Sequence, residues 1–276
     1  MEEFKVPELP EVETIRRYLE PRLTERRIAG ITIRHTGLRW PVSRTLPKEL
    51  SGQTIKSVQR RAKYLLLRCD QGTLILHLGM TGRITVIPSA TPIVRHDHLD
   101  LLLDNHKCLR FNDARRFGTV LWTSQDPLRH PLLADLGIEP LAADFTGAYL
   151  HQRAQGRTVA LKNFIMNQSI VVGVGNIYAS EALFQAGIQP TRPAGSISLK
   201  RHQRLAAAIR RVLEAALAAG GTTLRDYRQG DGNPGGFQVQ LLVYGRAGEP
   251  CTVCGRAIEQ ARIGQRSAYF CRKCQR

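Results

Sequence analysis

The sequence predicts an α+β protein, on three observations. Short β-like runs fill residues 28–122, the periodicity turns helical after residue 145, and a doubled cysteine motif closes the chain. With 276 residues, 42% of them hydrophobic, there is material for one large or two modest domains. No run approaches the ~18 apolar residues of a membrane span, and the first 30 residues hold no apolar signal core. The expectation is a reduced, cytoplasmic protein with no membrane partner.

The first element is a helix over Pro10 to Leu19. Val12, Ile15 and Leu19 recur at helical spacing, Glu11 and Glu13 sit in the first turn, and Pro21 is expected to close it. Pro7 and Glu8 stand just before that helix. A proline at a true amino terminus is a secondary amine and a nucleophile, whereas inside a chain its nitrogen is a planar amide. Six residues precede Pro7. Catalysis by Pro7 therefore requires removal of Met1 to Val6, and Val6 offers a route: a GTG start read as valine, the initiator then being cleaved to leave Pro7 first. With a reference α-amino pKa of about 7.7 to 8.0, and positive helix-terminal potential beside it, a neutral fraction of such an amine exists near neutrality.

From Ile28 to Trp122 the runs Lys63 to Arg68, Thr73 to Leu78, His98 to Leu103 and Val120 to Trp122 read as strands of a sandwich or barrel. Cys69 and Cys108 fall in such runs as core thiols. His77, His96 and His98 cluster there without a third metal ligand at suitable spacing, which favours surface or phosphate contacts. A loop rich in Pro, Asp and Gly spans Asp126 to Phe145, and a second domain is expected from about there. Its clearest helix is Ser198 to Ala219, with Leu205, Ile209, Leu213 and Leu217 on one face and Arg201, Arg204, Arg210 and Arg211 flanking it. Thr222 to Phe237 is a polar, glycine-rich loop of a length that means function or disorder. Gly173-Val174-Gly175-Asn176 lacks the third glycine of a dinucleotide turn; a better role is a turn whose N–H groups and Asn176 amide meet a phosphate at a helix start.

Cys251-x-x-Cys254 and Cys271-x-x-Cys274, sixteen residues apart, have the spacing of a four-thiolate structural zinc site, with redox pairs or disulfides as the rival reading. A closed site of this kind folds its module and does no chemistry. Arg256, Arg262 and Arg266 stand between the two knuckles. The net charge is +17, and residues 151–276 hold 18 Lys+Arg against 6 Asp+Glu where residues 1–150 hold 22 against 17. Such an excess, 32 of the 40 cations being arginine, points to a polyanion, nucleic acid above all.

The segments PELPEVETIRR, RRAKYLLL, HLGMTG, ARRFG and VVGVGNIYASEALF, in this order and followed by the cysteine pair, closely resemble the bacterial formamidopyrimidine-DNA glycosylases, from Pro7 to the last cysteine. The resemblance implies an amino-terminal β-sandwich with a leading helix (residues 7–140), a helix-two-turns-helix domain with a lesion loop (141–235) and a zinc finger (236–276), residues 1–6 being an extension. It implies a monomer that acts on damaged double-stranded DNA in the bacterial cytoplasm, beside the nucleoid. It assigns Pro7 as the nucleophile that attacks C1′ and forms a Schiff base, Glu8 as the catalytic acid and Lys63 as the lysine beside the lesion. Met80, Arg115 and Phe117 become the wedge that fills the hole left by an everted base. His96, Arg115, Lys162, Asn176 and Arg266 become DNA contacts, and Cys251, Cys254, Cys271 and Cys274 hold one structural zinc.

Two features depart from the family pattern: the six leading residues, and Ala114 where proline commonly precedes Arg-Arg-Phe-Gly. An endonuclease VIII-like enzyme for oxidised pyrimidines would usually begin PEGPE and carry other wedge residues. A non-catalytic zinc-ribbon DNA-binding protein would account for charge and zinc while ignoring Pro7.

Overall fold

The structure, a computed structural model, describes residues 7–220 and 241–276. The leading extension and the Thr222 to Phe237 loop of the sequence reading lie outside the described residues. The chain divides into two compact units, one reaching Ala134 and the other running from Asp135 to Ala219 and resuming with residues 241–276.

The first unit opens with α1 (Leu9–Leu23), then β1 (Arg26–Ile33), α2 (Leu46–Leu50), β2 (Thr54–Arg61), β3 (Tyr64–Cys69), β4 (Gly72–His77), β5 (Gly82–Pro88), β6 (Asp97–Leu103), β7 (Lys107–Asp113), β8 (Thr119–Thr123) and α3 (Pro131–Ala134). All strand pairings are antiparallel, in the order β5-β7-β6-β1-β2-β3-β4-β8. Alternate residues of both halves of this sheet meet in one core: Leu65, Leu67, Leu74 and Leu76 from one side, Ile84, Leu99, Leu101, Leu109 and Phe111 from the other. That is the inward-facing alternation of a sandwich. Helix α1 covers the core with Val12, Ile15, Leu19 and Leu23, all buried, each contributing about 1.5–3 kcal/mol by leaving water.

Pro21 does not close α1 as the sequence reading expected. It lies within the last turn, where it removes one backbone bond and the helix runs two residues further to Leu23. Lys63 is likewise off its expected strand. It occupies the two-residue turn between β2 and β3, after Ala62 in the left-handed region at φ 54°.

The second unit holds α4 (Gly147–Ala154), α5 (Leu161–Ile165), α6 (Asn176–Ala186) and α7 (Leu199–Ala218), then the hairpin β9 (Glu259–Ile263) and β10 (Arg266–Phe270). On α7 the buried face is His202, Leu205, Ala206, Ile209, Val212, Leu213 and Ala216, so Ala216 takes the place expected of Leu217. Helices α4 and α7 cross closely at Gly147, where a Cβ would lie 2.3 Å from the Gln203 Cα. Cys251, Ile258, Tyr269 and Cys271 share one core with the helices, so the cysteine module is packed onto them. No helix of the described residues is long and apolar enough to cross a membrane.

Candidate active site and nucleic-acid interface

In the first unit, ion pairs fix the direction of α1. Arg60 on β2 reaches Glu13 at 3.1 Å, and Arg16, one turn later, donates to the Val58 carbonyl at 3.3 Å. Going back along the helix therefore means going forward along the strand, so Pro7 and Glu8 point toward the end of β2 that carries the Ala62-Lys63 turn. Burial pushes the Glu13 carboxyl up, but Arg16 and Arg60 outweigh it and hold the group below its ordinary range. At the start of α1 the Glu8 N–H donates to Glu11 Oε2 at 2.9 Å, and both carboxylic side chains are 2% exposed. This anchors the residue beside Pro7 while satisfying an orphan donor of the first turn.

Strand register brings the remaining segments to the same end. Tyr64, next to Lys63, pairs with His77, and His77 pairs with Thr119. Two chain crossings start there: the turn Leu78 to Thr81, which carries Met80 from β4 to β5, and the turn at residues 114–118, which carries Arg115 and Phe117 from β7 to β8. Gly82 pairs with Asp113, so these crossings run side by side. They touch so closely that a Cβ on Gly79 would lie 2.5 Å from the Phe117 carbonyl carbon. The Arg115 guanidinium lies 4.7 Å from the centre of the Phe117 ring, and that ring is 41% exposed. His96 sits at φ 73° in the β5–β6 connection, its carbonyl accepting from the Asp113 N–H at 3.1 Å.

The surface or phosphate contact expected of His77 is not what the structure shows: the ring is largely buried and bonded to a main-chain N–H. Burial pushes its pKa down to about 4, with the Lys63 and Arg39 cations adding to the shift, so the ring is neutral at pH 7. Its Nδ1 accepts the Gly79 N–H at 3.0 Å, which sets the tautomer with the proton on Nε2 and steadies the turn bearing Met80. The available signal was its position, immediately before Leu78-Gly79-Met80.

In the second unit, Asn176 opens α6 after the turn at Gly173 (φ 79°), and its buried Oδ1 has no hydrogen-bond partner among the described residues. Asn176 thus stands at the N–H end of an eleven-residue helix, the end that favours an anion, while its orphan Oδ1 is an acceptor and calls for a donor. Arg266 begins β10, exposed, and with Gln260, Ala261, Arg262, Gln265 and Ser267 lines a shallow hollow of about 560 Å³ on the hairpin. Lys162 is fully buried, and its Nζ donates to the Ser267 carbonyl at 2.6 Å. Three of the α7 arginines also turn inward: Arg201 to the Gly187 carbonyl, Arg204 to that of Ala186, and Arg210 to those of Leu141, Ala142 and Phe145. Glu181, missed in the sequence, accepts the N–H groups of Leu242, Val243 and Tyr244 at 2.8 to 3.0 Å.

The sulfurs of Cys251, Cys254, Cys271 and Cys274 all lie within 4.8 Å of one another. Cys251 and Cys274 are 3.9 Å apart, Cys254 and Cys271 3.5 Å. A zinc ion with four Zn–S bonds of about 2.3 Å needs S···S edges of about 3.8 Å, so the set fits one structural zinc. The Arg256 backbone N–H, donating to Cys254, draws that thiol down to about 7, while burial pushes those of Cys271 and Cys274 up.

Comparison with known proteins agrees with this geometry part by part. Residues 6–120 match the formamidopyrimidine-DNA glycosylase N-terminal domain, 136–228 the H2TH domain of the same enzymes, and 248–276 the zinc finger found in FPG and IleRS. The formamidopyrimidine-DNA glycosylase of Stutzerimonas stutzeri is 54% identical over 271 residues, covering 98% of this chain and all of the relative. The chain belongs to the formamidopyrimidine-DNA glycosylase family. A further member of that family, from Alkalilimnicola ehrlichii, is 56% identical over 277 residues, again with 98% and 100% coverage. Among solved formamidopyrimidine-DNA glycosylases, that of Thermus thermophilus superposes with a TM-score of 0.86 at 39% identity, covering 98% of each chain. The Lactococcus lactis enzyme in complex with abasic-site DNA superposes at 0.90 and 34%, covering 98% of this chain and 99% of its own.

Proposed function

We propose that the protein is a bifunctional DNA glycosylase and AP lyase of base excision repair, which removes oxidised purines, 8-oxoguanine and formamidopyrimidines, from duplex DNA. Its working form begins at Pro7, whose free secondary amine attacks C1′ of the damaged nucleotide and expels the base. The iminium so formed has no N–H proton to lose; it stays cationic and acts as the electron sink for β and then δ elimination, which cleaves the strand. Glu8, buried and tethered through Glu11, is the acid for sugar-ring opening and later proton transfers. Lys63 contacts the DNA beside the lesion from its turn. Met80 and Phe117 fill the hole as apolar wedges, and the Arg115 fork pairs with the orphaned base.

His96, Asn176 and Arg266 hold the DNA, with Lys162 acting through the hairpin strand that it supports. The zinc finger is a clamp. The protein acts as a monomer, in the cytoplasm. What carries the reading is the convergence, at one end of the first unit, of the α1 start with Pro7 and Glu8, the Lys63 turn and the two turns bearing Met80, Arg115 and Phe117.

Borohydride trapping on a duplex with 8-oxoguanine opposite cytosine tests it, together with the intact mass of the active protein. A covalent adduct on Pro7, absent from Pro7→Gly, is the expected result. Active protein that retains Met1 overturns the nucleophile assignment. Preference for oxidised pyrimidines in a lesion panel would favour the endonuclease VIII-like activity, and DNA binding without any adduct would favour a binding module.

A further inference from the structure

Asp113 is fully buried, yet none of the roles above uses it. Its Oδ1 accepts the Thr81 hydroxyl at 2.5 Å and the Arg115 N–H at 3.2 Å, and its Oδ2 accepts the Gly118 N–H at 2.7 Å. The Arg115 N–H is shared with Thr81 Oγ1 at 3.1 Å, so hydroxyl, amide and carboxylate form a closed triangle. The main chain of the same residue is equally engaged: its N–H donates to the His96 carbonyl, and its carbonyl lies 2.7 Å from His98 Nε2.

Thr81 follows Met80, Gly118 follows Phe117, and Arg115 stands two residues from Asp113. One carboxylate thus joins the two turns that carry all three wedge residues, and its backbone holds the loop that carries His96. A buried carboxylate takes such a place only when its lone pairs are filled, and here two main-chain donors and one hydroxyl fill them.

We infer that the Asp113–Thr81 pair is the positioning device that couples the two wedge turns, so that Met80, Arg115 and Phe117 enter the duplex as one rigid body. The inference rests on the wedge assignment above. Eversion must overcome the stacking of the target base, and only a wedge held in one piece delivers three side chains to the gap together. An abasic site has no base to unstack. The coupling therefore matters for base excision far more than for incision of a preformed abasic site.

Single-turnover assays with Thr81→Val and Asp113→Asn read the two steps separately, with Met80→Ala and Phe117→Ala as reference variants. Each of the first pair is expected to slow excision of 8-oxoguanine from duplex DNA about tenfold or more, while abasic-site incision stays within about twofold. A 2-aminopurine beside the lesion should lose its rise in fluorescence on binding. The double variant should be no slower than Asp113→Asn alone, because both remove one interaction. Parallel loss of both activities marks a merely structural role and overturns the inference, as does wild-type excision by Thr81→Val, which adds no bulk and tests the bond if Asp113→Asn does not fold. If the reference variants also excise normally, the wedge assignment falls and the inference with it; if they are impaired while Thr81→Val is not, only the coupling falls.

Discussion

Lys162 and Ser267 are joined by a 2.6 Å hydrogen bond from a fully buried ammonium to a main-chain carbonyl of the zinc-finger hairpin. The carbonyl belongs to the residue after Arg266, so a cation inside the helical core fixes the strand whose first side chain is the exposed arginine. Lys162→Met keeps the apolar stem and removes the charge. It should loosen the hairpin and weaken duplex binding about tenfold, the loss of roughly 1.4 kcal/mol being typical of a charge-assisted bond. Zinc content should be unchanged. Equal affinity of the two proteins for a lesion duplex would exclude this role.

Removal of the metal should act on folding first. With four thiols closing around one ion and Cys251 and Cys271 buried in the common core, Cys254→Ser or chelation should unfold residues 248–276 and release the hairpin from Lys162. Amide exchange across β9 and β10 should rise while that of β2 to β4 stays slow, and DNA affinity should fall. Slow exchange in a zinc-free hairpin would contradict this.

A histidine pair should make the second unit acid-sensitive. His202 is fully buried on α7, its Nδ1 3.3 Å from that of His151 on α4. Burial, with repulsion from His151 as the lesser cause, holds His202 down to about 4 from an ordinary 6.5. Above pH 6.5 the ring is neutral in both folded and unfolded chains and its stabilising contribution is whole. As the pH falls from 6.5 to 4 the unfolded chain takes up a proton that the folded one refuses, and about 3 kcal/mol is lost. Denaturant unfolding of His202→Leu should show less pH dependence than the wild type over that window; parallel curves would argue against it.

Gly79 combines φ 61° with a neighbouring carbonyl that leaves no room for a side chain. Gly79→Ala should strain the turn by about 1–3 kcal/mol and push the Met80 turn away from Phe117. Base excision should drop more than tenfold in a protein whose circular dichroism is unchanged. Wild-type turnover would show that the two turns need not touch.

Much of this site was legible in the sequence because motif residues sit at the ends of strands whose alternation is plain, as with Thr73 to Leu78 leading into Met80. The register that unites them was not. That Tyr64 faces His77 and Gly82 faces Asp113 depends on long-range pairing, which local periodicity does not encode. Local pattern places Lys63 on a strand because Ala62 gives no sign of adopting a left-handed turn, a conformation usually left to glycine, asparagine or aspartate. Asp113 was silent for a similar reason. A single aspartate between a strand and Arg-Arg-Phe resembles any solvated turn residue until burial reveals what its oxygens hold.

The inward arginines change how the basic surplus should be counted. Arg201, Arg204 and Arg210 spend their guanidinium groups on main-chain oxygens, so each acts as an internal fastener as well as a charge. Counterion release on binding follows phosphates neutralised, at a slope near −0.9 for each in duplex DNA, and not formal valence. An ionic-strength titration of affinity will accordingly report a smaller number of working cations than a tally of the sequence implies, and raising salt will strip the protein from its duplex well before it slackens these helices.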